Sequence, residues 1–366
     1  MSAPRLEIDL DKIYHNTRTL IERLVVRGIS VTGVAKASLG CPAIATAMLR
    51  AGVLGLGDSR IENIEAMRGA QVAASMTLIR SPMLSQVESV VKQADISFNT
   101  ELDVISQLSS AAQKLKRIHG VVLMVELGDL REGIMPRDLA SVVRETIRFP
   151  NIQLKGIGTN LACRCGVSPD ANNMAELSAL ANSIDATFGP ILSIISGGNS
   201  ANLEWVLSGA ETGRINNLRL GEAILLGCEP MHRQAIDGLY TDTIILTAEV
   251  IESKLKPSQP WGEVGQSAFG VTPSVTNRGN IFQTILAIGH QDIDPNGLQS
   301  PTGIDILGAS SDHLIVESSR CLPVGTEISF QLNYSALMRA MTSPFVTKVE
   351  KSRGHHVHVS DSDDKP

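Results

Sequence analysis

A lysine sits where an apolar run of this chain ends. The segment Val31-Thr-Gly-Val-Ala-Lys36 is followed at once by Ala-Ser-Leu-Gly40. Lysines are seldom fully buried, and loss of water lowers the pKa of an ammonium. A lysine so depressed can form an imine with an aldehyde cofactor. The plain alternative is a side chain that snorkels past the strand end into solvent. Two later stretches favour the chemical reading. Ser196-Gly-Gly-Asn-Ser200 and Leu218-Arg-Leu-Gly-Glu222 each follow an apolar run. Glycines let backbone N–H groups approach phosphate oxygens, and Ser200 adds a hydroxyl. Gly-rich turns are common singly. Their order behind Lys36 points to a phosphorylated aldehyde.

Such residues need a frame. The first two-thirds alternate short apolar runs with helix-like stretches. Strands are expected at Ser30–Ala37, Leu54–Asp58, Met76–Arg80, Ile96–Asn99, Val121–Gly128, Leu154–Leu161, Leu192–Gly197 and Leu218–Leu220. Between them lie amphipathic segments such as Pro42–Ala51, Leu102–Leu115 and Met174–Phe188. Alternation of this kind favours a parallel sheet, and eight units suit a closed α/β barrel of the (β/α)8 TIM type. A doubly wound open sheet is the rival, because periodicity does not close a barrel. In a barrel the strand ends carrying Lys36 and the two loops share one face, and phosphate commonly binds after strands seven and eight. The pattern changes near Asp237. Thr243–Ser253, Ile281–Ile288, Ile304–Leu307, His313–Glu317 and Glu327–Leu332 read as strands without intervening helices, punctuated by Gly and Pro. The expected division is a barrel over 1–236, a C-terminal β domain over 237–350, and a polar tail over 351–366 that is expected to be disordered. His355, His356 and His358 in that tail are read as solvated rather than as metal ligands, because such a tract has no packed support.

Composition narrows the partners. The chain has 366 residues, 43% hydrophobic, with 38 acids against 32 bases. No long basic run appears in its body, so nucleic acid and anionic membrane surfaces are unfavoured. The N-terminus has no apolar signal core, and no stretch is long enough to span a bilayer. Five scattered cysteines, Cys41, Cys163, Cys165, Cys228 and Cys321, suit free thiols in a reducing cytoplasm.

The blocks, taken together, resemble the alanine racemase-like, fold-type III pyridoxal-phosphate (PLP) enzymes. The resemblance runs from Leu6-Glu-Ile-Asp-Leu-Asp-Lys-Ile-Tyr-His-Asn16 through Val34-Ala-Lys36, Gly198-Asn-Ser200 and Arg219-Leu-Gly221. It is closest in wording to the ornithine racemase subgroup, in Asp58-Ser-Arg-Ile-Glu-Asn63, Leu127-Gly-Asp-Leu-Arg-Glu-Gly133, Gly158-Thr-Asn-Leu161, Gly308-Ala-Ser-Ser-Asp-His313 and Ala340-Met-Thr-Ser-Pro344. It implies that Lys36 carries PLP as a Schiff base and that Arg219 faces the pyridine nitrogen. Ser200, the backbone at Gly221 and Glu222, and Tyr334 would hold the phosphate. Arg131 would lie near the phenolic oxygen, with Asn160 and Asn199 also in the cofactor site. A guanidinium only donates hydrogen bonds. The ring nitrogen beside Arg219 would then stay unprotonated, a weak electron sink that suits proton exchange at Cα. The plain reading of Arg219 is a salt bridge to Glu222 or another nearby acid.

Departures from the family pattern bear on the mechanism. A family tyrosine that acts on the opposite face of the substrate is matched by Phe269, which has no ionisable proton. Met124 stands where some relatives carry a modified lysine, and Leu39 where a phosphate-binding tyrosine is expected. Two residues could replace the missing acid/base: the thiol of Cys163, or His313 with Asp312 beside it. Their plain readings are a packing cysteine and a surface histidine. The leading function is racemisation of a basic amino acid, ornithine or lysine. Asp292, Asp294 and Asp312 are candidate partners for the substrate's terminal ammonium, and their plain reading is as caps of turns. Alternatives are aldol cleavage or dehydration of D-amino acids, or a non-catalytic PLP carrier. Relatives of the first kind carry a Pro-x-His-x-Cys zinc site, whereas Leu332–Leu337 has no His–Cys pair. Relatives of the second kind lack the β domain. The family also implies a homodimer with shared active sites.

Overall fold

The computed structural model describes residues 3–270 and 276–352. The chain divides into two compact units. One comprises Leu10–Thr241; the other joins the residues up to Asp9 with those from Asp242 on.

The first unit is a closed eight-stranded parallel barrel. Its entry strand β1 (Arg5–Asp9) belongs to the other unit, and α1 (Leu10–Val25) opens the barrel unit. In α1, Ile13, Leu20 and Leu24 recur on one helical face and are fully buried. Asn16 lies on that face too. Its side chain donates to the carbonyls of Ile224 (3.0 Å) and Tyr240 (2.8 Å) and accepts from Tyr240 N (2.8 Å), which pins the end of the barrel unit to its first helix.

The barrel strands are β2 (Ser30–Val34), β3 (Gly55–Asp58), β4 (Met76–Leu78), β5 (Ile96–Asn99), β6 (His119–Met124), β7 (Ile152–Gly158), β8 (Ile194–Ser196) and β9 (Asn217–Leu220). Closure comes from β9 pairing with β2, Val31 opposite Leu218 and Thr32 opposite Arg219. The helices are α2 (Pro42–Ala51), α3 (Ile61–Gly69), α4 (Val87–Gln93), α5 (Leu102–Lys114), α6 (Leu139–Thr146), α7 (Ala171–Phe188), α8 (Asn202–Leu207) and α9 (Glu222–Leu226). The local signals are ordinary ones. Pro42 takes the first position of α2 and Gly52 ends it at φ 110°, a left-handed conformation that glycine adopts freely. Asp170 caps α7 in a capping box with Asn173.

The second unit is an eight-stranded sheet in the order β12-β15-β10-β11-β14-β13, with β1 paired to both β10 and β16. Its strands are β10 (Ile244–Pro257), β11 (Asn280–Leu286), β12 (Leu298–Gln299), β13 (Ile304–Ala309), β14 (Leu314–Ser318), β15 (Glu327–Leu332) and β16 (Thr347–Lys351). The structure departs from the sequence reading at several points, among them the strands β12 and β16, which were not expected. Arg5–Asp9 was read with the barrel, but it runs antiparallel to β10 and parallel to β16. The β region also contains a helix, α10 (Tyr334–Thr342), whose Ala336, Leu337, Ala340 and Met341 form a buried face. Lys351, read as the start of a tail, ends β16 opposite Asp9. His355, His356 and His358 lie outside the described residues. Among the described residues, no helix is long and apolar enough to cross a membrane.

Candidate active site at the barrel mouth

Lys36 begins a short 3-10 turn, Lys36–Ser38, two residues beyond β2. Ala35 N donates to the Gly57 carbonyl (2.9 Å), which carries the β2–β3 pairing past the strand end. Leu39 closes the turn at φ 52°, a left-handed backbone uncommon for a branched side chain. Lys36 faces a cavity of about 230 Å³, also lined by Ser59, Ile79, Arg80, Met124, Arg131, Glu132, Asn160 and Arg219. Burial lowers the Lys36 pKa below the usual lysine value. Cys163 and Asp58 pull it up, while Arg131 and Arg219 push it down.

Arg219 projects from β9 and is 5% exposed. Its guanidinium donates to Ser196 Oγ (2.6 Å), the Thr159 carbonyl (2.8 Å) and Asn160 Oδ1 (3.1 Å), and lies 5.1 Å from the Phe98 ring centre. Burial brings its pKa down to about 10, so it stays charged at neutral pH. The salt bridge to Glu222 weighed from sequence is not its partner. Glu222 pairs with Arg233, and burial raises the Glu222 carboxyl against that pairing.

The loops after β7, β8 and β9 are laced together. Asn199 Nδ2 reaches Asn160 Oδ1 (3.1 Å), the Leu161 carbonyl (2.9 Å) and Cys163 Sγ (3.5 Å). Asn160 Oδ1 therefore accepts twice, while its buried Nδ2 has no hydrogen-bond partner. Ser200 Oγ accepts from Ala223 N (3.2 Å), joining the two glycine-rich loops. Gly198 cannot be replaced cheaply: at φ 147°, an added Cβ would lie 2.0 Å from Asn202 Oδ1. Gly221 precedes α9 at the end of β9.

Three acids that the sequence reading did not single out shape the mouth. Glu126 accepts from the backbone N–H groups of Gly128 (2.6 Å), Leu130 (3.0 Å) and Arg131 (3.1 Å). Asp129 is buried and accepts from Cys163 N (3.2 Å), Arg164 N (3.0 Å) and Cys165 N (3.0 Å), which binds the Arg131 loop to the Cys163 loop. Asp58, at the end of β3, is fully buried. Its Oδ1 accepts from Arg60 N (2.9 Å) and Asn63 Nδ2 (3.0 Å), and its Oδ2 has no hydrogen-bond partner. Burial raises its pKa to about 6. The rule that drew attention to Lys36, a charged residue closing an apolar strand, applies equally to Asp58.

The β unit carries the remaining candidates. Asp292 Oδ1 accepts from Ser343 Oγ (2.6 Å). Asp294 accepts from Ser335 Oγ (2.6 Å) and Asn296 N (3.2 Å), capping a 3-10 turn. Both carboxylates thus have partners inside their own unit. Asp312 is exposed and pairs with His313 Nδ1 (2.9 Å), which holds its carboxyl below the usual range. Tyr334 starts α10 behind the Asn333 cap. Phe269 is half exposed, its ring 4.3 Å from that of His290.

A family model described as alanine racemase, N-terminal domain, matches residues 8–230. The chain belongs to this family. Two relatives match it nearly end to end. An ornithine racemase of Acetoanaerobium sticklandii is 39% identical, covering 94% of this chain and 99% of the relative. A lysine racemase of Thermotoga maritima is 37% identical, covering 95% and 99%. The fold matches solved structures at much lower identity. An alanine racemase of Clostridium difficile superposes with a TM-score of 0.72 at 19% identity, over 98% of this chain and 99% of that one. For a D-threonine aldolase of Filomicrobium marinum the values are 0.74 and 16%, over 96% and 91%. This family member thus shares one architecture with enzymes of more than one reaction, and its chemistry must be argued from its site.

Proposed function

We propose that this protein is a PLP-dependent racemase of a basic amino acid, ornithine or lysine. The observation that carries the reading is one cavity in which Lys36, Arg131, Asn160 and Arg219 converge. Its relatives named for ornithine and lysine supply the substrate class. The donor set fits the cofactor. Asn160 has a buried N–H pair in need of an acceptor, and Ser200 joins two glycine-rich loops suited to phosphate. Lys36 would hold the aldehyde carbon, Arg219 the ring nitrogen, and Arg131 the phenolic oxygen. Ser200, Asn199, the backbone at Gly221 and Glu222, and Tyr334 would complete the cofactor-binding set.

When bound, the cofactor supplies an electron-withdrawing ring that acidifies the substrate's Cα–H bond. The protein does the rest. Lys36 takes or returns the proton on one face, helped by the burial that lowers its pKa. Cys163 serves the other face; its thiol is contacted by Asn199 Nδ2, and its loop is fixed by Asp129. Arg219 donates and never accepts a proton, which limits charge drawn into the ring and favours return of the proton to Cα. His313, paired with Asp312, is the second candidate for the opposite face. The assembly we propose is a homodimer, and the compartment is the cytoplasm, which suits five free cysteines.

The test is incubation of the holoenzyme with single L-amino acids in deuterium oxide, followed by chiral separation and mass analysis. Ornithine or lysine should gain one deuterium at Cα and appear as both enantiomers, faster than alanine. Exchange without enantiomer formation, or cleavage products, would replace racemisation with another reaction on the same scaffold.

A further inference from the structure

The barrel mouth has its own answer to a positively charged substrate. Four cations line the cavity, Lys36, Arg80, Arg131 and Arg219, and among the described lining residues there is one acid, Glu132. Both oxygens of Glu132 accept from Arg131, at Nε and Nη2. The pair is not sealed off: the Glu132 side chain is 27% exposed and that of Arg131 38%. It is also not on a loose arm. Glu126 fastens three N–H groups of the loop, and the loop returns through Glu126 N to the Ile134 carbonyl (3.0 Å) and Ile134 N to the Met124 carbonyl (2.8 Å). An added Cβ on Gly133 would lie 2.4 Å from Glu126 N, so the residue after Glu132 is held flush against the strand end. The Asp129 contacts with Cys163, Arg164 and Cys165 brace the loop from the other side.

We propose that Glu132 is the specificity-determining residue, the receptor for the terminal ammonium of a basic amino-acid substrate. The inference rests on the racemase reading and deepens it. An amino acid brings a carboxylate, which an arginine of the mouth can receive. A basic one also brings an ammonium with three donors. A carboxylate has about four acceptor positions, and a bidentate arginine uses two. Glu132 can therefore receive the ammonium while keeping Arg131. Asp292 and Asp294, by contrast, already serve Ser343, Ser335 and a turn within the β unit. An apolar side chain of equal length would desolvate Glu132 and give it nothing back.

The experiment uses two substrate pairs matched in length, ornithine with norvaline and lysine with norleucine, on the holoenzyme. The wild type should prefer the charged member in kcat/KM by about ten- to two-hundred-fold. E132Q keeps size and hydrogen bonding but loses charge, and should erase most of that preference, chiefly through KM, with the cofactor absorbance unchanged. E132D should retain a preference for the charged members. Equal losses on all four substrates, or a preference that survives E132Q, would overturn the assignment while leaving racemisation intact. Should the wild type racemise none of the four, the racemase reading itself fails, and Glu132 with it.

Discussion

At the C-terminal ends of its strands the barrel collects charge; at the opposite ends it collects hydroxyls and amides. The floor encloses a cavity of about 330 Å³ lined by Ser30, Thr32, Ser75, Thr77, Asn217 and their neighbours, and it reaches Arg219 from below. Arg219 thus separates two environments. Above it lie Lys36, Arg131 and Glu132. Below it runs a neutral chain: Ser196 Oγ accepts from the guanidinium (2.6 Å) and donates to Asn217 Oδ1 (2.7 Å), and Asn217 Nδ2 donates to Thr32 Oγ1 (3.1 Å) and Ser30 Oγ (3.2 Å). Every bond in that chain points away from the guanidinium. The contrast teaches how a buried cation can be oriented without being neutralised. A carboxylate below Arg219 would quench its charge, whereas hydroxyls and amides fix its direction and leave the charge for the mouth.

If function lives at the mouth, substitutions there should cut activity most and stability least. Lys36→Ala is expected to have the largest effect, a loss of racemisation of at least about 10³-fold, since it removes an acid/base together with the cofactor's anchor. The visible cofactor band should vanish as well. Borohydride reduction and peptide mapping that placed the label on a different lysine would refute the assignment. Cys163→Ala comes next, with interconversion slowed by about 10²-fold or more. Exchange at Cα from one enantiomer should outlast formation of the other, since one face keeps Lys36. If both persist at wild-type rates, the opposite face is served by another group, and His313→Asn becomes the decisive variant.

How much of this was legible beforehand follows the range of the contacts. The barrel strands were readable because each is a short apolar run bounded by a turn, and the parallel pairing joins neighbours in sequence. The first strand was not. Its partners, β10 and β16, lie at the far end of the chain, and five residues of RLEID carry no local sign of them. Helix α10 was missed because a run of strands set the expectation, although Ala336, Leu337, Ala340 and Met341 have helical spacing. Of the site, Lys36 could be picked out because it closes an apolar run, whereas the roles of Arg131, Asn160 and Arg219 were implied by the family resemblance. Glu132 could not be weighed, because acids after strands are common and only folding shows which of them face a cavity; Asp58 closes an apolar run as Lys36 does, but its loss of water shows only once the barrel is closed. Asp294 gave fair warning in sequence: Asp-Pro-Asn-Gly is a turn with its own cap.

Asp58 sharpens the comparison as a stability effect at the edge of the mouth. Its carboxyl is raised from 3.8 to about 6. A folded-state pKa above the unfolded one means that the native protein holds the proton more tightly. The resulting stabilisation is complete below about pH 4 and is lost as pH rises through about 6. At one pKa unit per 1.36 kcal/mol, the loss is on the order of 3 kcal/mol at most. Asp58→Asn keeps an oxygen for Arg60 N and Asn63 Nδ2 and removes the charge. Relative to wild type, the variant should gain stability between about pH 4 and pH 6 in urea titrations and hold that gain at higher pH. A difference that does not change across this window would mean that Asp58 titrates normally.

The smallest effects belong to the floor, and they should diminish with distance from Arg219. Ser196→Ala leaves a fully buried guanidinium hydrogen without its acceptor, at a cost of about 1–3 kcal/mol. Asn217→Ala removes the next link. Ser196 then loses an acceptor, and Thr32 and Ser30 lose a donor, which taken alone would cost as much. The difference is the cavity. Asn217 lines it, and a space of this size with several hydroxyls on its walls can hold water in place of the amide. The expected loss is therefore about 0.5–1.5 kcal/mol, and activity should fall by only a few-fold, because Arg219 keeps Ser196, Thr159 and Asn160. Urea titration and kcat/KM on one substrate check both values. If Asn217→Ala cost as much as Ser196→Ala, the floor would be dry, and the neutral chain would be a rigid strut whose every link is needed to hold Arg219.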